Sequence, residues 1–427
     1  MIKVGLLGLG TVGSGVYEIL NNRKHIIEKS TNTEVRITKV LVKNLNKDRN
    51  IEIDKSILTN NPLDILDDKE IDIIVEVMGG VEDSYKYIKM ALENGKHVVT
   101  ANKAVLSEHL YELNNIAKEN NKALLFEASV AGGIPVIKAL KEMIDINNIT
   151  EIKGILNGTT NFILSKMTEE EIDFNEALKL AQSLGYAEAD PTDDIEGYDA
   201  ARKIAILSSI AFHNVVNMDD VECTGITSVS ALDISFLKKA GFAVKLIGSA
   251  YALENAINAQ VELVLIDKNS IMANVENANN IVLLNGDIVG ELQFYGQGAG
   301  KKPTANAVVS DVLDVVNKKY KYISFKKCEK EINKMINHSN YYFRSYLKNK
   351  EEDTNILKQI KKLGIKYSVL EKGNALILVL QEVNKADIKN LISNLGIADQ
   401  SCYIKIDDAQ VNFVNALILE NFNKAAM

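Results

Sequence analysis

Residues 2–13 read Ile2-Lys3-Val4-Gly5-Leu6-Leu7-Gly8-Leu9-Gly10-Thr11-Val12-Gly13. A short β-branched and leucine run passes directly into Gly8-x-Gly10-x-x-Gly13, and a helical apolar pattern through Val16, Ile19 and Leu20 follows. Glycines at these three places permit a tight turn, let the backbone approach a pyrophosphate, and leave room for the helix against the strand. A bound pyrophosphate then lies at the positive end of the helix. Glycine turns are common, so the motif counts because of its context: a strand before it, a helix after it, and a βαβ rhythm beyond. The spacing predicts a dinucleotide-binding unit, with Gly8, Gly10 and Gly13 at the cofactor.

Beyond the turn, short apolar runs recur at residues 35–42, 71–78, 98–99 and 123–126, with helical patterns at 84–94 and 104–120 between them. Strands alternating with helices of this length predict a parallel sheet covered on both faces. Their continuous apolar character fits strands buried on both sides. An acid closing the second strand would hold the ribose 2′-hydroxyl of NAD. The chain has Val42-Lys43-Asn44 there instead, so NADP is the expected cofactor, with NAD also allowed.

After about residue 134 the rhythm changes. A strand at 149–156 leads into Asn157-Gly158-Thr159-Thr160-Asn161 and a helix. A second helix spans 174–184, and an apolar helix at 200–212 follows a polar loop. Strand-rich sequence with Asn and Gly punctuation fills 244–294. Gly296-Gln297-Gly298-Ala299-Gly300 then opens a helix, through Val316, that is expected to return to the first domain. Lys-rich residues 321–334 lack a core period and read as a linker. Beyond it come a strand at 341–347, a helix at 353–363, strands at 366–370 and 374–380, a helix at 385–395 and a strand at 402–406. This βαββαβ order fits a small α+β regulatory module. The expected domains are residues 1–135 with the return helix at about 301–320, residues 136–300, and residues 340–427.

A chain of 427 residues has room for two or three domains, and 46% hydrophobic with 25% charged residues is ordinary globular usage. Lys and Arg total 49 against 57 Asp and Glu, a net charge of −8 without the basic stripe a nucleic-acid binder needs. Apolar runs such as 204–212 fall short of a bilayer span. A charged start, apolar run and small-residue cleavage site are missing from the N-terminus. A cytoplasmic protein without nucleic-acid or membrane partners is expected. Cys223, Cys328 and Cys402 are odd in number and far apart, against a disulfide framework. The five histidines show no metal-ligand spacing, and His213 reads as a core residue.

Two stretches carry chemistry. Thr100-Ala101-Asn102-Lys103 ends a strand of the parallel sheet, and ligands in this architecture bind outside the carboxyl ends of the strands. A cation is disfavoured at the positive start of a helix, so Lys103 reads as a crevice residue rather than a solvated one. From Gly185 to Lys203 the chain packs Glu188, Asp190, Asp193, Asp194, Glu196 and Asp199 ahead of Arg202 and Lys203. A helix beginning near Gly197 puts Asp199 and Lys203 on one face. As a surface pair they would contribute about 0.3–0.5 kcal/mol. The following Ile204-Ala205-Ile206-Leu207 is apolar all round, however, and charges at the mouth of a buried helix point to a site.

These residues resemble homoserine dehydrogenases of the monofunctional type that carry a C-terminal ACT domain. The likeness rests on Thr100 to Lys103, on Glu127-Ala128-Ser129-Val130-Ala131-Gly132-Gly133-Ile134-Pro135, on Asn157 to Asn161, and on the block from Gly185 to Lys203. It covers Met1 to about Tyr320 and is looser after Tyr341. It implies NAD(P)-dependent interconversion of L-homoserine and L-aspartate 4-semialdehyde, a step towards threonine, methionine and isoleucine. By this resemblance Lys203 is the proton donor and acceptor at the substrate oxygen. Lys103 lies between nicotinamide and substrate, and Glu188 and Asp199 bind the substrate. Leu9, Thr11 and Val12, with Gly185 and Gly298, join the glycines at the cofactor. The segment Glu127, Val130, Gly132 and Ile134 holds a monovalent cation, Na+, through backbone carbonyls. The tail's implied effector is L-threonine, although Lys348-Asn349-Lys350-Glu351-Glu352-Asp353 replaces the acidic-Pro-Gly type turn usual in ACT modules. A homodimer or a dimer of dimers is implied.

The expected fold class is therefore α/β: a Rossmann-type doubly wound domain, a mixed α/β substrate and dimerisation domain, and a small βαββαβ ACT-like tail. An amine-oxidising amino-acid dehydrogenase is the nearest rival, and the Gly185 to Lys203 block argues against it. A non-catalytic nucleotide sensor is the second, and it would not need Lys103 and Lys203 beside acids placed to hold an aminoalcohol.

Overall fold

Six strands, β1 (Ile2–Leu7), β2 (Val35–Leu41), β3 (Leu58–Thr59), β4 (Ile73–Glu76), β5 (His97–Thr100) and β6 (Leu124–Leu125), make one sheet in the order β3-β2-β1-β4-β5-β6. Every pairing in it is parallel. The chain starts in the middle and winds outward both ways, so a crevice opens beyond the carboxyl ends of β1 and β4. Helices α1 (Thr11–Asn22), α2 (Lys24–Thr31), α3 (Leu63–Leu66), α4 (Glu82–Glu93) and α5 (Lys103–Glu119) belong to this domain. Both faces are covered: Leu6 and Val75 lie in one apolar cluster, Leu7 and Ile74 in the other, all without exposed surface. The computed structural model describes residues 1–325, 330–332, 338–349 and 351–407.

The second domain runs through α6 (Val136–Met143), β7 (Ile149–Ile155), α7 (Gly158–Glu170), α8 (Phe174–Ser183), α9 (Thr192–Ile195), α10 (Tyr198–Ala211), β8 (Glu222–Cys223) and α11 (Ala231–Lys239). It continues with β9 (Phe242–Ala252), β10 (Ala256–Asp267), β11 (Asn279–Gly286) and β12 (Gly290–Gln297). Helix α10 is buried over nearly its whole length and packs on β9 and β10 on one side and α5 on the other. That wedge position between the two sheets is why its sequence is apolar all round. Helix α12 (Lys301–Val316) then returns to the first sheet, where Ala305, Val308 and Val312 share a core with β1. The close approach needs Gly15, whose added Cβ would lie 2.8 Å from Ala305 Cβ.

After β13 (Glu331–Ile332), the tail comprises β14 (His338–Tyr346), α13 (Glu352–Lys362), β15 (Lys366–Lys372), β16 (Ala375–Asn384), α14 (Lys385–Leu395) and β17 (Ser401–Ile406). Its strands extend the second sheet to the order β12-β11-β7-β9-β10-β17-β14-β16-β15. The join is short and parallel, Val264 to Lys405 and Leu265 to Ile406. The tail is thus docked edge to edge rather than held only by a linker.

Three expectations change. Two described points within the stretch read as a linker are anchored: Ile323 is buried and its carbonyl accepts from Asn114 Nδ2 at 2.9 Å, and β13 pairs with β10. Anchors one or two residues long leave no period to read. His213 is not a core residue. It stands partly exposed in the left-handed region (φ +55°) just past α10, with Nδ1 3.2 Å from the Ser324 carbonyl. Helices α2, α6 and α11 were not anticipated, although Ser230 and Asp233 form a capping box that announces α11. Cys223 and Cys402 are free thiols, and Cys328 lies outside the described residues. Among the described residues no helix is long and apolar enough to cross a membrane, and no group of three His, Cys, Asp or Glu is placed to hold a metal.

Candidate active site

The glycine turn leaves β1 with Gly8 at φ +100°, where a Cβ would lie 2.8 Å from the Val77 carbonyl oxygen. At Gly13 a Cβ would come within 2.2 Å of the Gly8 carbonyl. Both positions are therefore glycine because the protein's own backbone fills the space. Gly10 differs: a Cβ there meets nothing within 4 Å, and no side chain caps α1. The start of α1 therefore has no side-chain cap, which leaves its first N–H groups for an anion.

Across the crevice, Glu76 ends β4 with no exposed surface. Its carboxylate accepts from Thr100 Oγ1 (2.6 Å), the Met78 amide (2.8 Å) and Ser84 Oγ (3.1 Å), tying the loop after β4 to the end of β5. Asn102 continues the brace. Its amide N–H donates to Thr100 Oγ1 (3.0 Å), its Nδ2 donates to the Gly80 carbonyl (2.7 Å), and its Oδ1 caps α5. Lys103, the first residue of α5, is held at this edge.

The second domain supplies the partner of Lys103. Gly197, at φ +85°, starts α10 so that Asp199 and Lys203 stand one turn apart on the same face. Lys203 Nζ donates to Asp199 Oδ2 and to the Leu156 carbonyl, both at 2.7 Å. Lys103 Nζ pairs with the other oxygen of Asp199. Asn157 Nδ2 donates to Asp199 Oδ2 (2.8 Å) and to Asp194 Oδ1 (2.6 Å), while Asn157 Oδ1 caps α7. Asn280 Nδ2 donates to the same Leu156 carbonyl at 2.9 Å. Asp199 is 3% and Lys203 7% exposed.

The charges resolve in one direction. Burial would push the Asp199 carboxyl up, but Lys203 and Lys103 outweigh it and hold the group well below the usual carboxylate range. Burial pushes the Lys203 ammonium down, against the pull of Asp199 and with a further push from Lys103. Asp199 instead holds Lys103 above its ordinary value. Of the two lysines, Lys203 is the one that parts with a proton at lower pH.

Residues 8–127 match the family described as homoserine dehydrogenase, NAD binding domain, and residues 135–313 match the family described as homoserine dehydrogenase. The homoserine dehydrogenase of Bacillus subtilis is 41% identical over 411 residues, covering 92% of this chain and 95% of that protein. The chain belongs to the homoserine dehydrogenase family. The crystal structure of a homoserine dehydrogenase from Thiobacillus denitrificans superposes with a TM-score of 0.84 at 36% identity, covering 95% of this chain and 98% of that one. A hyperthermophilic archaeal homoserine dehydrogenase in complex with NADPH matches with a TM-score of 0.63 at 25% identity, over 75% of this chain and 99% of its own. The protein is accordingly an oxidoreductase that interconverts L-homoserine and L-aspartate 4-semialdehyde with a nicotinamide cofactor.

Within this homoserine dehydrogenase fold, the residues singled out from sequence are not all gathered. Lys103, Asp199 and Lys203 converge. Glu188 is exposed in the loop before α9, and its main-chain carbonyl accepts from Gln182 Nε2 at 3.1 Å. Gly185 turns that loop at φ +77° in open space. Gly298 packs against the Asn280 carboxamide, where a Cβ would come within 2.1 Å, and Gly132 packs on the Gly298 carbonyl. The Glu127 carboxylate accepts from the Ile137 and Lys138 amides at 2.8 Å each, capping α6, and burial beside Asp311 pushes it up to about 7. Val130 and Ile134 are buried next to it, and the Ile134 carbonyl already accepts from Val136 N at 2.8 Å. Leu9, Thr11 and Val12 line the start of α1.

Glu76, Asn157, Asn280 and the Leu156 carbonyl were not assigned roles from sequence. A lone carboxylate in the apolar run Ile73-Ile74-Val75-Glu76 is a signal that sequence reading could have used. Asn280 offers no such local cue.

Proposed function

We propose that Lys203 is the acid and base of the homoserine dehydrogenase reaction. In one direction it gives a proton to the carbonyl oxygen of L-aspartate 4-semialdehyde, and in the other it takes the hydroxyl proton of L-homoserine. An ammonium has three N–H groups. Asp199 and the Leu156 carbonyl engage two of them, which leaves one to aim at the substrate oxygen. Burial lowers the cost of releasing that proton, which is what a group working near neutral pH needs. Lys103 stays cationic beside it and favours negative charge developing on the oxygen. Asp199 and the exposed Glu188 are the carboxylates for the substrate ammonium.

The glycine turn, with open space at Gly10 and bare N–H groups at α1, suits the pyrophosphate of a dinucleotide, with Gly185 and Gly298 as further cofactor contacts. The bound nicotinamide supplies or takes up the hydride at the substrate carbon. We read the cofactor as NADPH, with NADH also accepted. Lys43 is exposed two residues past the end of β2, where no acid would repel a 2′-phosphate. The carbonyls of Glu127, Val130, Gly132 and Ile134 are our candidates for Na+. The Glu127 carboxylate is already engaged by two amides, so binding there would rest on carbonyls.

For the remaining features, the βαββαβ order supports reading the tail as ACT-like, with L-threonine as effector. Ile288, Val289 and Tyr295 are exposed on the β11–β12 hairpin, an apolar edge suited to a second copy in a homodimer or dimer of dimers. Free thiols fit the cytoplasm.

The observation that carries the catalytic reading is the convergence of Lys103 and Lys203 on one buried carboxylate. Lys203→Met tests it, since methionine keeps the buried stem without a proton to transfer. NADPH oxidation with aspartate semialdehyde should show kcat lower by at least about a hundredfold and NADPH affinity nearly unchanged. Near wild-type kcat with a normal circular-dichroism spectrum would remove Lys203 from the role and leave Lys103 as the next candidate.

A further inference from the structure

Asn280, on β11, has about 1% of its surface exposed and reaches Leu156, the residue just past β7. Its Nδ2 donates to the Leu156 carbonyl, which is also the second acceptor of Lys203 Nζ. Its Oδ1 is buried with no hydrogen-bond partner. The opposite orientation of the amide would set Oδ1 against the Leu156 oxygen, so the orientation is fixed by chemistry. Gly298 presses on the carboxamide so closely that any side chain at that position would overlap it. A buried unpaired acceptor costs about 1–3 kcal/mol. For stability alone, an apolar residue of the same shape would serve better here than asparagine.

We propose that Asn280 is a positioning residue for proton transfer: by donating to the Leu156 carbonyl it fixes the acceptor that orients Lys203 Nζ and takes a share of that oxygen's hydrogen-bonding capacity. This rests on Lys203 being the acid and base. Two donors on one oxygen compete, so each Nδ2 hydrogen given to Leu156 weakens that carbonyl's hold on the ammonium. The carboxamide also brings the positive end of its dipole near Nζ. Both effects favour the neutral lysine that L-homoserine oxidation requires. The other charged groups facing Lys203 are Asp199 on its own helix, Lys103 on α5 and Asp194 on α9, and Asn280 adds a neutral, directional contribution from β11.

Two variants in the full-length enzyme test this. Asn280→Leu removes the donor and the orphaned oxygen together while keeping the shape. It should leave Tm within a few degrees of wild type, lower kcat for homoserine oxidation at least about tenfold at neutral pH, and move the acid limb of the kcat profile upward. Asn280→Asp is isosteric, removes the donor and adds an anion, so the same limb should move further. KM for NADP should stay unchanged in both. Folded variants with wild-type kcat and pH profile would overturn the proposal. So would a loss of Tm with the pH profile unmoved, or failure of both variants to fold, since either makes Asn280 structural. The Lys203→Met control separates the two ideas. If Lys203→Met is active, the catalytic reading fails; if it is inactive while both Asn280 variants behave as wild type, only the positioning role fails.

Discussion

Asp199 shows how a single residue sets the behaviour of its neighbours. It is nearly buried, yet it meets Lys203, Lys103 and Asn157 before any substrate arrives. Asp199→Ala would leave two lysines facing one another without their shared anion. Removing one partner of a buried pair typically costs about 3–5 kcal/mol. Because Asp199 is what pulls the Lys203 ammonium up against burial, its loss should move the acid limb of kcat downward as well as raise KM for homoserine. Measuring both against pH checks this, and an unmoved limb would show that Asp199 only binds substrate. The pairing was readable in sequence because Asp199 and Lys203 are four residues apart on an apolar helix. Asn280 was not, because it meets Leu156 across 124 residues of chain and no local pattern marks such a contact. A second residue-scale outcome concerns His97, which burial holds at about 4, with Lys122 adding to the shift. Its Nδ1 accepts from the Ala123 amide at 2.9 Å, so the fold needs the neutral ring. Between pH 6.5 and about 4 the unfolded chain takes up a proton that the native state refuses. Stability should therefore fall over that window, by about 1–2 kcal/mol after allowing for partial exposure, with no further slope from this group below it. Urea titrations of wild type and His97→Asn at pH 7, 5.5 and 4.5 should show the smaller loss in the variant.

At the scale of elements, the contact between α1 and α12 links cofactor binding to a helix almost 300 residues away in sequence. A Cβ at Gly15 would lie 2.8 Å from Ala305 Cβ and 2.9 Å from the Lys301 carbonyl oxygen, and the second of these is backbone. Gly15→Ala should therefore push the helices apart at a cost of about 1–3 kcal/mol. It should also weaken cofactor affinity, because the N-terminus of α1 moves with the helix. Gly364→Ala, at φ +72° in open space, is the control: it should lower Tm through backbone strain alone and leave cofactor titrations unchanged. Elements with a wide buried stripe, such as α5, α10 and the tail strands, announce themselves in sequence. Helix α2 does not, because Ile27 is its one buried residue, and neither does the two-residue β3. The wedge position of α10 could be inferred from its uniform apolarity, but which two sheets it separates depends on pairings that no single segment encodes.

The whole molecule depends on how the tail is attached. From sequence, a chain ending near Tyr320 would keep every catalytic candidate and lose only regulation. The docked arrangement changes that expectation. Asp233, with no exposed surface, is satisfied by Arg344 and by the Tyr342 hydroxyl at 2.7 Å, both from the tail. Glu262, 3% exposed, faces Lys385 at 3.1 Å and Lys405 at 3.5 Å, again from the tail. Removing the tail would strip both carboxylates of their cations, leaving Asp233 only its capping bonds from Ser230, and would bare the edge of β10. At about 3–5 kcal/mol for each broken buried pair, the loss rivals the 5–15 kcal/mol stability of a typical domain. An exposed strand edge adds a route to aggregation. The chain cut after Tyr320 should therefore be poorly soluble or melt well below the full-length protein, although Lys103, Asp199 and Lys203 all remain. Opening to water relieves part of the penalty, so neutralising the two acids should help. The same truncation carrying Asp233→Asn and Glu262→Gln should regain solubility and some activity with aspartate semialdehyde. Thermal melts and NADPH-oxidation assays on the three proteins decide the matter. A plain truncation that melts like the full chain with full kcat would mean that the buried ion pairs contribute little and the tail is only lightly seated on β10.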